Sequence, residues 1–465
     1  MPLSTDITAE MQLPAYTLNP EIVLTPDGPL RGKSIQVEGQ KIVCIADSEA
    51  GQGVDLEGYA IAPGFIDAHT HAGQTFGKSL IGGEPAQIWK RIWNPMEAAH
   101  DANSAYYSAK WMFFESLRGG FTTLVNFSMN NAVLNEAVHK AAAETGIRLI
   151  SASGLNEYDF VNGQTVTHSF DEISSVVDQH IDACADNELI TPSICSTSFH
   201  TNSDLALQNL ASLCIERGVK LQIHSNEHFP EVHDCVTTKG KRPIEFMDSI
   251  GILGPHLLLH HTTLVTDKEI EILARTNTSV SYNPLASIWK GNAVAPALAF
   301  GERGVTFGIG SDTTSADAFK NLCAAEACQR VKHSMPVDDF SAGAAWTWTN
   351  AASKGSAIAA GISHHTGSIA EGFEADFLVL DMYRPECLPS HDFEWEFVRY
   401  YSRDQISAAV VSGKLLMVDG LPVSWDEREF MRDALAAALR VTETPGLTRV
   451  HGPSGDHRPL TGATI

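Results

Sequence analysis

Six residues in this chain are of types that hold metals or move protons, and their spacing groups them. His69 and His71 stand two apart at the end of PGFIDAHTH, so on a strand both imidazoles point to one face. His224 closes VKLQIHS, with Glu227 following in HSNE. His261 closes HLLLHHT, and Asp312 ends the Gly-bracketed run VTFGIGSD. A lone i, i+2 histidine pair is a weak signal, because polar residues pair on strands by chance. Joined by further groups at the ends of three other apolar runs, it becomes a donor set. Three imidazoles and one carboxylate suit a divalent transition metal of borderline softness, and the lack of thiolate argues against a structural cysteine-zinc site. Such a metal lowers the pKa of water from about 15.7 to about 7, which makes a nucleophile at neutral pH.

A donor set spread over 240 positions works only if strand ends converge. Candidate strands lie at 61–71, 122–127, 147–154, 191–198, 219–225, 256–262, 279–284 and 305–312. Helical patterns separate them, several closing on Gly or Asn. This alternation predicts an α/β fold, a (β/α)8 TIM-like barrel. A doubly wound open sheet is the alternative. The chemistry requires strands one, five, six and eight to meet, and a closed barrel provides that at its C-terminal face. Residues 17–60 and 368–422 carry short β patterns, which predicts a small β-sandwich domain built from both chain ends. The expected division is 1–60 for the first part of the sandwich, 61–364 for the barrel, 365–425 for the second part, and 426–465 for a helix (426–440) and tail. The tail after Pro445 is either loose or an arm docking on a neighbouring subunit.

The chain has 465 residues, 43% hydrophobic and 19% charged, with a net charge of −24. That surface repels phosphate backbones, which disfavours nucleic acid and anionic membranes as partners. No apolar run approaches the ~20 residues of a membrane span, and the first residues lack the basic and apolar regions of a secretory signal. Eight cysteines are scattered without a CxxC, as expected of reduced thiols in a cytoplasmic protein. Neither GxxxxGK[ST] nor a GxGxxG after a strand is present, so nothing supports a nucleotide-binding protein.

PGFIDAHTH, HSNE, LLLHHTTLVTDKEI, GIGSD and the late GSIAEGFEADFLVLD together resemble the amidohydrolase superfamily, in its single-metal triazine-hydrolase and cytosine-deaminase-like branch. The resemblance covers nearly the whole chain. It implies a distorted barrel in which His69, His71, His224 and Asp312 bind one divalent metal (Zn, Co, Fe or Mn). It further implies that Glu227 shuttles protons, that His261 orients or polarises the substrate, and that Asp312 accepts the water's proton. Two-metal relatives carry a modified Lys at the end of strand four. Here that segment reads TPSICSTSFHTNS, without Lys, so one metal is expected. Aligning through GPHLLL and VTDKEI selects His261 over His260, and strand alternation turns His260 away from the centre. By the same resemblance the chain forms a dimer or tetramer. Some barrels of this superfamily are non-catalytic assembly proteins, but those have lost metal ligands, and all four candidates are present here.

The substrate is less legible. Positions that read a purine or pterin base in deaminases of this branch differ here: Lys78-Ser79 replaces Arg-Gly, Thr197-Ser198 replaces the strand-four motif, and Pro284-Leu285-Ala286-Ser287 stands after strand seven. Trp89, Trp93, Phe127, Met129, Phe160, Phe199, His200 and Trp289 fall on expected mouth loops, which suits a small apolar, uncharged substrate. Against this, Trp89 and Trp93 are four apart, the spacing of a core-facing helix stripe. The first expectation is hydrolysis at the carbonyl of a urea, carbamate or thiocarbamate such as molinate. The alternative is a deaminase or dechlorinase acting on an aminopurine, aminopyrimidine or s-triazine ring.

Overall fold

The computed structural model describes residues 3–49, 52–82, 84, 88–128, 131–161, 164–444 and 446–450. Met129, the side chain of Phe160, Pro445 and residues 451–465 lie outside the described residues, and with them most of the expected tail.

Eight parallel strands follow one another around a ring in sequence order: β1 (Phe65–Thr70), β2 (Phe121–Asn126), β3 (Arg148–Ser153), β4 (Ile190–Ser196), β5 (Lys220–Ser225), β6 (Leu257–His261), β7 (Ser279–Tyr282) and β8 (Phe307–Ile309). This is the (β/α)8 barrel. Its strands are buried on both faces, which is why they read as near-continuous apolar runs. The crossover helices include α1 (Ala102–Arg118), α2 (Ala132–Thr145), α3 (Phe170–Cys184), α4 (Asp204–Arg217) and α5 (Asp267–Thr276). Each starts where a side chain takes up an orphan N–H: Asp101, Asn131, Ser169, Ser203 and Thr266. Ile66, Val125, Ile150 and Leu258 fill the barrel interior with Ala357, Ala360 and Ile362 from below. The seam between β8 and β1 is closed beyond the strand: the Asp312 N–H donates to the His69 carbonyl at 2.8 Å.

The run read as one strand over 61–71 is two. Residues Val54–Pro63 belong to the other sheet, and Gly64 breaks the path before β1. A Cβ at Gly64 would lie 2.1 Å from Thr122 Oγ1, so only glycine lets the chain pass between the sheets. The expected sandwich is a single nine-stranded sheet rather than two separate ones. Chain-start and chain-end strands join where Val54–Pro63 pairs antiparallel with Phe377–Asp381. The sheet folds over so that Leu18, Val37, Ile42, Phe377, Val379 and Val410 share one core. The C-terminal helix is α7 (Glu427–Thr442), packed on α1. No helix among the described residues is long and apolar enough to cross a membrane.

Arg148 ties this sheet to the barrel floor. Its guanidinium donates to Asp376 Oδ2 at 2.9 Å and Oδ1 at 3.2 Å, both groups being buried. Burial raises the Asp376 carboxyl, but Arg148 and hydrogen bonds from Ser412 and Thr366 outweigh it and hold the group below the usual range. Arg148→Met is expected to cost about 3–5 kcal/mol, because it strands a buried carboxylate. Urea denaturation at neutral pH measures this. The difference between variant and parent should shrink in acid. A carboxyl held low contributes fully above its unfolded pKa of about 3.9 and loses that contribution as pH falls through the depressed folded value.

Candidate active site

The strand ends deliver the six residues to one place at the C-terminal face. His69 and His71 leave β1 with ring centroids 4.7 Å apart, and His224 from β5 lies 4.8 Å from His69 and 5.5 Å from His71. Asp312 Oδ1 stands 3.4 Å from Nε2 of both His69 and His71. The Phe127 ring, just past β2, packs edge-on against His224 at 4.5 Å and so walls the cluster. Gly310 is required beside it, since a Cβ there would meet Asn283 Oδ1 at 2.2 Å and the His69 side chain at 3.0 Å.

Local backbone strain aims these groups. Among the described residues, Asn226, His261, Thr262, Asp312 and Thr313 all hold positive φ, at the ends of β5, β6 and β8. For non-glycine residues that conformation is uncommon and concentrates at functional sites. The turn at Asn226 is clamped from several sides. Glu231 accepts the N–H groups of Asn226 and Glu227 at 3.1 and 3.0 Å, and the Asn226 amide donates to the Leu264 carbonyl and to Glu269. His261 turns at φ 71°, which breaks strand alternation. The expectation that His260 faces away is therefore corrected. It stacks on His69 with centroids 3.7 Å apart and bonds Gln222 Oε1 through Nε2 at 3.0 Å, inside the barrel and beneath the cluster.

The donor set fits a metal ion. Both ring nitrogens of buried His69 and Nδ1 of His224 lack a hydrogen-bond partner, which is costly unless a cation takes up the lone pairs. Burial holds His69 and His224 well below the ordinary histidine pKa, so both are neutral and able to ligate. Burial also brings His261 down to about 4. Asn283 fixes its tautomer. The Asn283 Oδ1 accepts from Ser281 Oγ at 2.6 Å, which leaves Nδ2 to donate to His261 Nδ1 at 3.1 Å. The proton of His261 is then on Nε2, which faces Glu227 Oε2 at 3.5 Å and Asp312 Oδ2 at 3.9 Å.

Three groups absent from the sequence reading complete the site. Lys290, last residue of α6 (Pro284–Lys290), donates to Asp312 Oδ2 and, at 3.1 Å, to Glu227 Oε1. His228 Nε2 and Asn292 Nδ2 reach the same Glu227 oxygen at 3.1 and 3.3 Å. Burial works against both charges of the Lys290 pair, yet the partners prevail: the ammonium is held above its usual range, and the Glu227 and Asp312 carboxyls well below theirs. The faint signal for Lys290 was its place in ASIWKGN, on the loop after strand seven.

The expected substrate contacts are scattered. Phe127 touches the histidines. Trp289 is 49% exposed and lines a cavity of ≈ 360 Å³ with Lys78, Ser79, Ile81 and Gly82 at the mouth. Trp93 is instead buried with Ile81, Ile88, Ile92, Met96 and Val441, which corrects its assignment to the pocket. Trp89 is 40% exposed beneath the Lys90 ammonium, and His200 is exposed with its ring against Phe199, so neither joins the cluster. Trp93→Ala is expected to lower stability by about 3–5 kcal/mol and leave KM unchanged. Denaturant midpoints alongside steady-state kinetics test both halves.

Fold and site together define a metal-dependent hydrolase barrel. The model of the amidohydrolase family matches residues 60–416, and the chain belongs to that family. It is 30% identical over 390 residues to the 5'-deoxyadenosine deaminase of Methanopyrus kandleri, covering 83% of this chain and 87% of that protein. It is 26% identical to the 5-methylthioadenosine/S-adenosylhomocysteine deaminase of Thermodesulfovibrio yellowstonii, over 82% of this chain and 86% of the other. The fold is shared with a zinc-bound adenosine deaminase from Xanthomonas campestris, at TM-score 0.83 and 22% identity over 91% and 98% of the two chains. It is also shared with the zinc-bound atrazine chlorohydrolase of Arthrobacter aurescens, at TM-score 0.80 and 18% identity over 91% and 99%.

Proposed function

We propose that this enzyme hydrolyses a small uncharged substrate at a carbonyl carbon bearing nitrogen, with thiocarbamates such as molinate as the favoured class because their leaving group departs as an anion, carbamates next, and ureas, which must expel an amine, last. The carrying observation is the crowding of Glu227, whose Oε1 accepts from Lys290, His228 and Asn292 while Oε2 faces His261 Nε2. A carboxylate so surrounded is kept as an anion and has no proton to hand to an amine. A thiolate needs none to depart. The altered base-reading positions, from Lys78-Ser79 to Ser287, support the same class.

His69, His71, His224 and Asp312 would hold one divalent metal, which when bound brings water's pKa down to about 7. Zinc in two structural relatives supports that metal for this chain. Asp312 Oδ2, the oxygen turned from His69 and His71, takes the proton of the attacking water. The His261 Nε2–H donates to the substrate heteroatom that gains charge, and Lys290 offers further N–H donors in the same space. The C–O bond forms, the C–S bond breaks, and the sulfur leaves with the electron pair and is protonated afterwards.

A second reading is favoured by the relatives: displacement of an amine or chloride from an aminopurine, aminopyrimidine or s-triazine ring. One screen separates the two. The zinc-loaded protein is offered aminopurines, chlorotriazines, ureas, carbamates and thiocarbamates, with ammonia, chloride and thiol release followed separately. Thiol release at the highest kcat/KM is the expected result. Ammonia or chloride release exceeding it overturns the first reading in favour of the second.

A further inference from the structure

A second cluster of ligating side chains lies on the barrel's outer layer. On β3, Ile150 points into the barrel interior, so its neighbour Ser151 points outward beneath α2 and α3. His139 comes from α2. His180 and Cys184, four apart, share one face of α3. Cys184 Sγ lies 3.9 Å from His139 Nε2 and 3.8 Å from His180 Nε2, and the three donor atoms fall within 4.8 Å of one another. Metal bonds of roughly 2.3 Å to sulfur and 2.05 Å to nitrogen, at trigonal angles, set sulfur and nitrogen about 3.8 Å apart. The side chains therefore already stand at ligand spacing. His180 and Cys184 are buried, at 5% and 1% exposure. Burial lowers His180 and brings His139 down to about 4, so both imidazoles are neutral near pH 7.

We infer that His139, His180 and Cys184 form a second metal site, separate from the catalytic cluster, for a borderline-to-soft d10 ion such as Zn2+ or Cu+. The thiolate marks the difference in chemistry, since the six catalytic candidates offer only nitrogen and oxygen. Without metal, Ser151 holds the two rings: its Oγ lies 2.8 Å from His139 Nε2 and its carbonyl accepts from His180 Nε2 at 2.8 Å. Binding exchanges these two contacts for metal bonds. The His180 proton moves to Nδ1, His139 ligates with its proton on Nδ1, and the Cys184 thiol releases its proton to solvent. The ion then staples α2 to α3 and, because the unfolded chain offers no such site, stabilises the fold.

Cobalt(II) is the probe. The metal-stripped full-length protein is titrated with Co2+, and the near-ultraviolet thiolate-to-cobalt charge-transfer band is followed. The band is expected in the parent and in His224→Ala, and absent from both Cys184→Ser and His139→Asn, whose turnover stays within twofold of the parent. Zn2+ should displace it, and in the His224→Ala background, where the catalytic cluster loses its metal, Zn2+ should raise Tm while Cys184 is present but not once Cys184→Ser is added. A parent that takes up cobalt without any thiolate band overturns the inference. So does a band surviving in both variants, which would place the sulfur on another cysteine.

Discussion

His224→Ala is expected to abolish metal retention and turnover together. The imidazole packs between His71, stacked at 5.5 Å, and Phe127, edge-on at 4.5 Å, and alanine removes its donor nitrogen from the cluster. Loss of metal forfeits several kcal/mol of charge stabilisation and the means of making hydroxide at neutral pH. At about 1.36 kcal/mol per tenfold, turnover should fall on the order of 10³-fold or more. Zinc content after gel filtration and kcat/KM on the best substrate of the screen are the two measurements. Full zinc occupancy in the variant would remove His224 from the ligand set.

Lys290→Met should leave zinc content unchanged and lower kcat/KM by about 10²–10³-fold, the scale of losing a preorganised donor at a site of developing charge. The methylene chain is kept, so packing around α6 is nearly preserved and the loss is that of the ammonium. What disappears is the bridge between Glu227 Oε1 and Asp312 Oδ2. Lys290→Arg should restore part of the rate. A Lys290→Met enzyme with parental kinetics would reduce the bridge to a resting contact between charged groups.

The barrel was legible because it rests on repeated local rules. Apolar runs of strand length alternate with helices that begin on Asp101, Ser169 and Thr266, and each such rule acts within a few residues. The histidine pair on β1 was legible for the same reason, since side-chain direction in a regular strand follows from counting. The sandwich was read correctly as the work of both chain ends, but not as one continuous sheet. Pairing between Val54–Pro63 and Phe377–Asp381 joins residues more than 300 positions apart, and no local pattern encodes it.

Where strands end, counting stops working. His260 and His261 both reach the barrel interior because positive φ at His261 and Thr262 turns the chain. Trp93 matched a mouth aromatic by position and a core stripe by spacing, and packing against Val441 from α7 decided for the core. Composition and periodicity thus specified the architecture and the ligand types, because both depend on near-neighbour chemistry. The encirclement of Glu227 by Lys290, Asn292 and His261 depended on the three-dimensional fold, because groups that follow or end β5, β6 and β7 meet only after the barrel has closed.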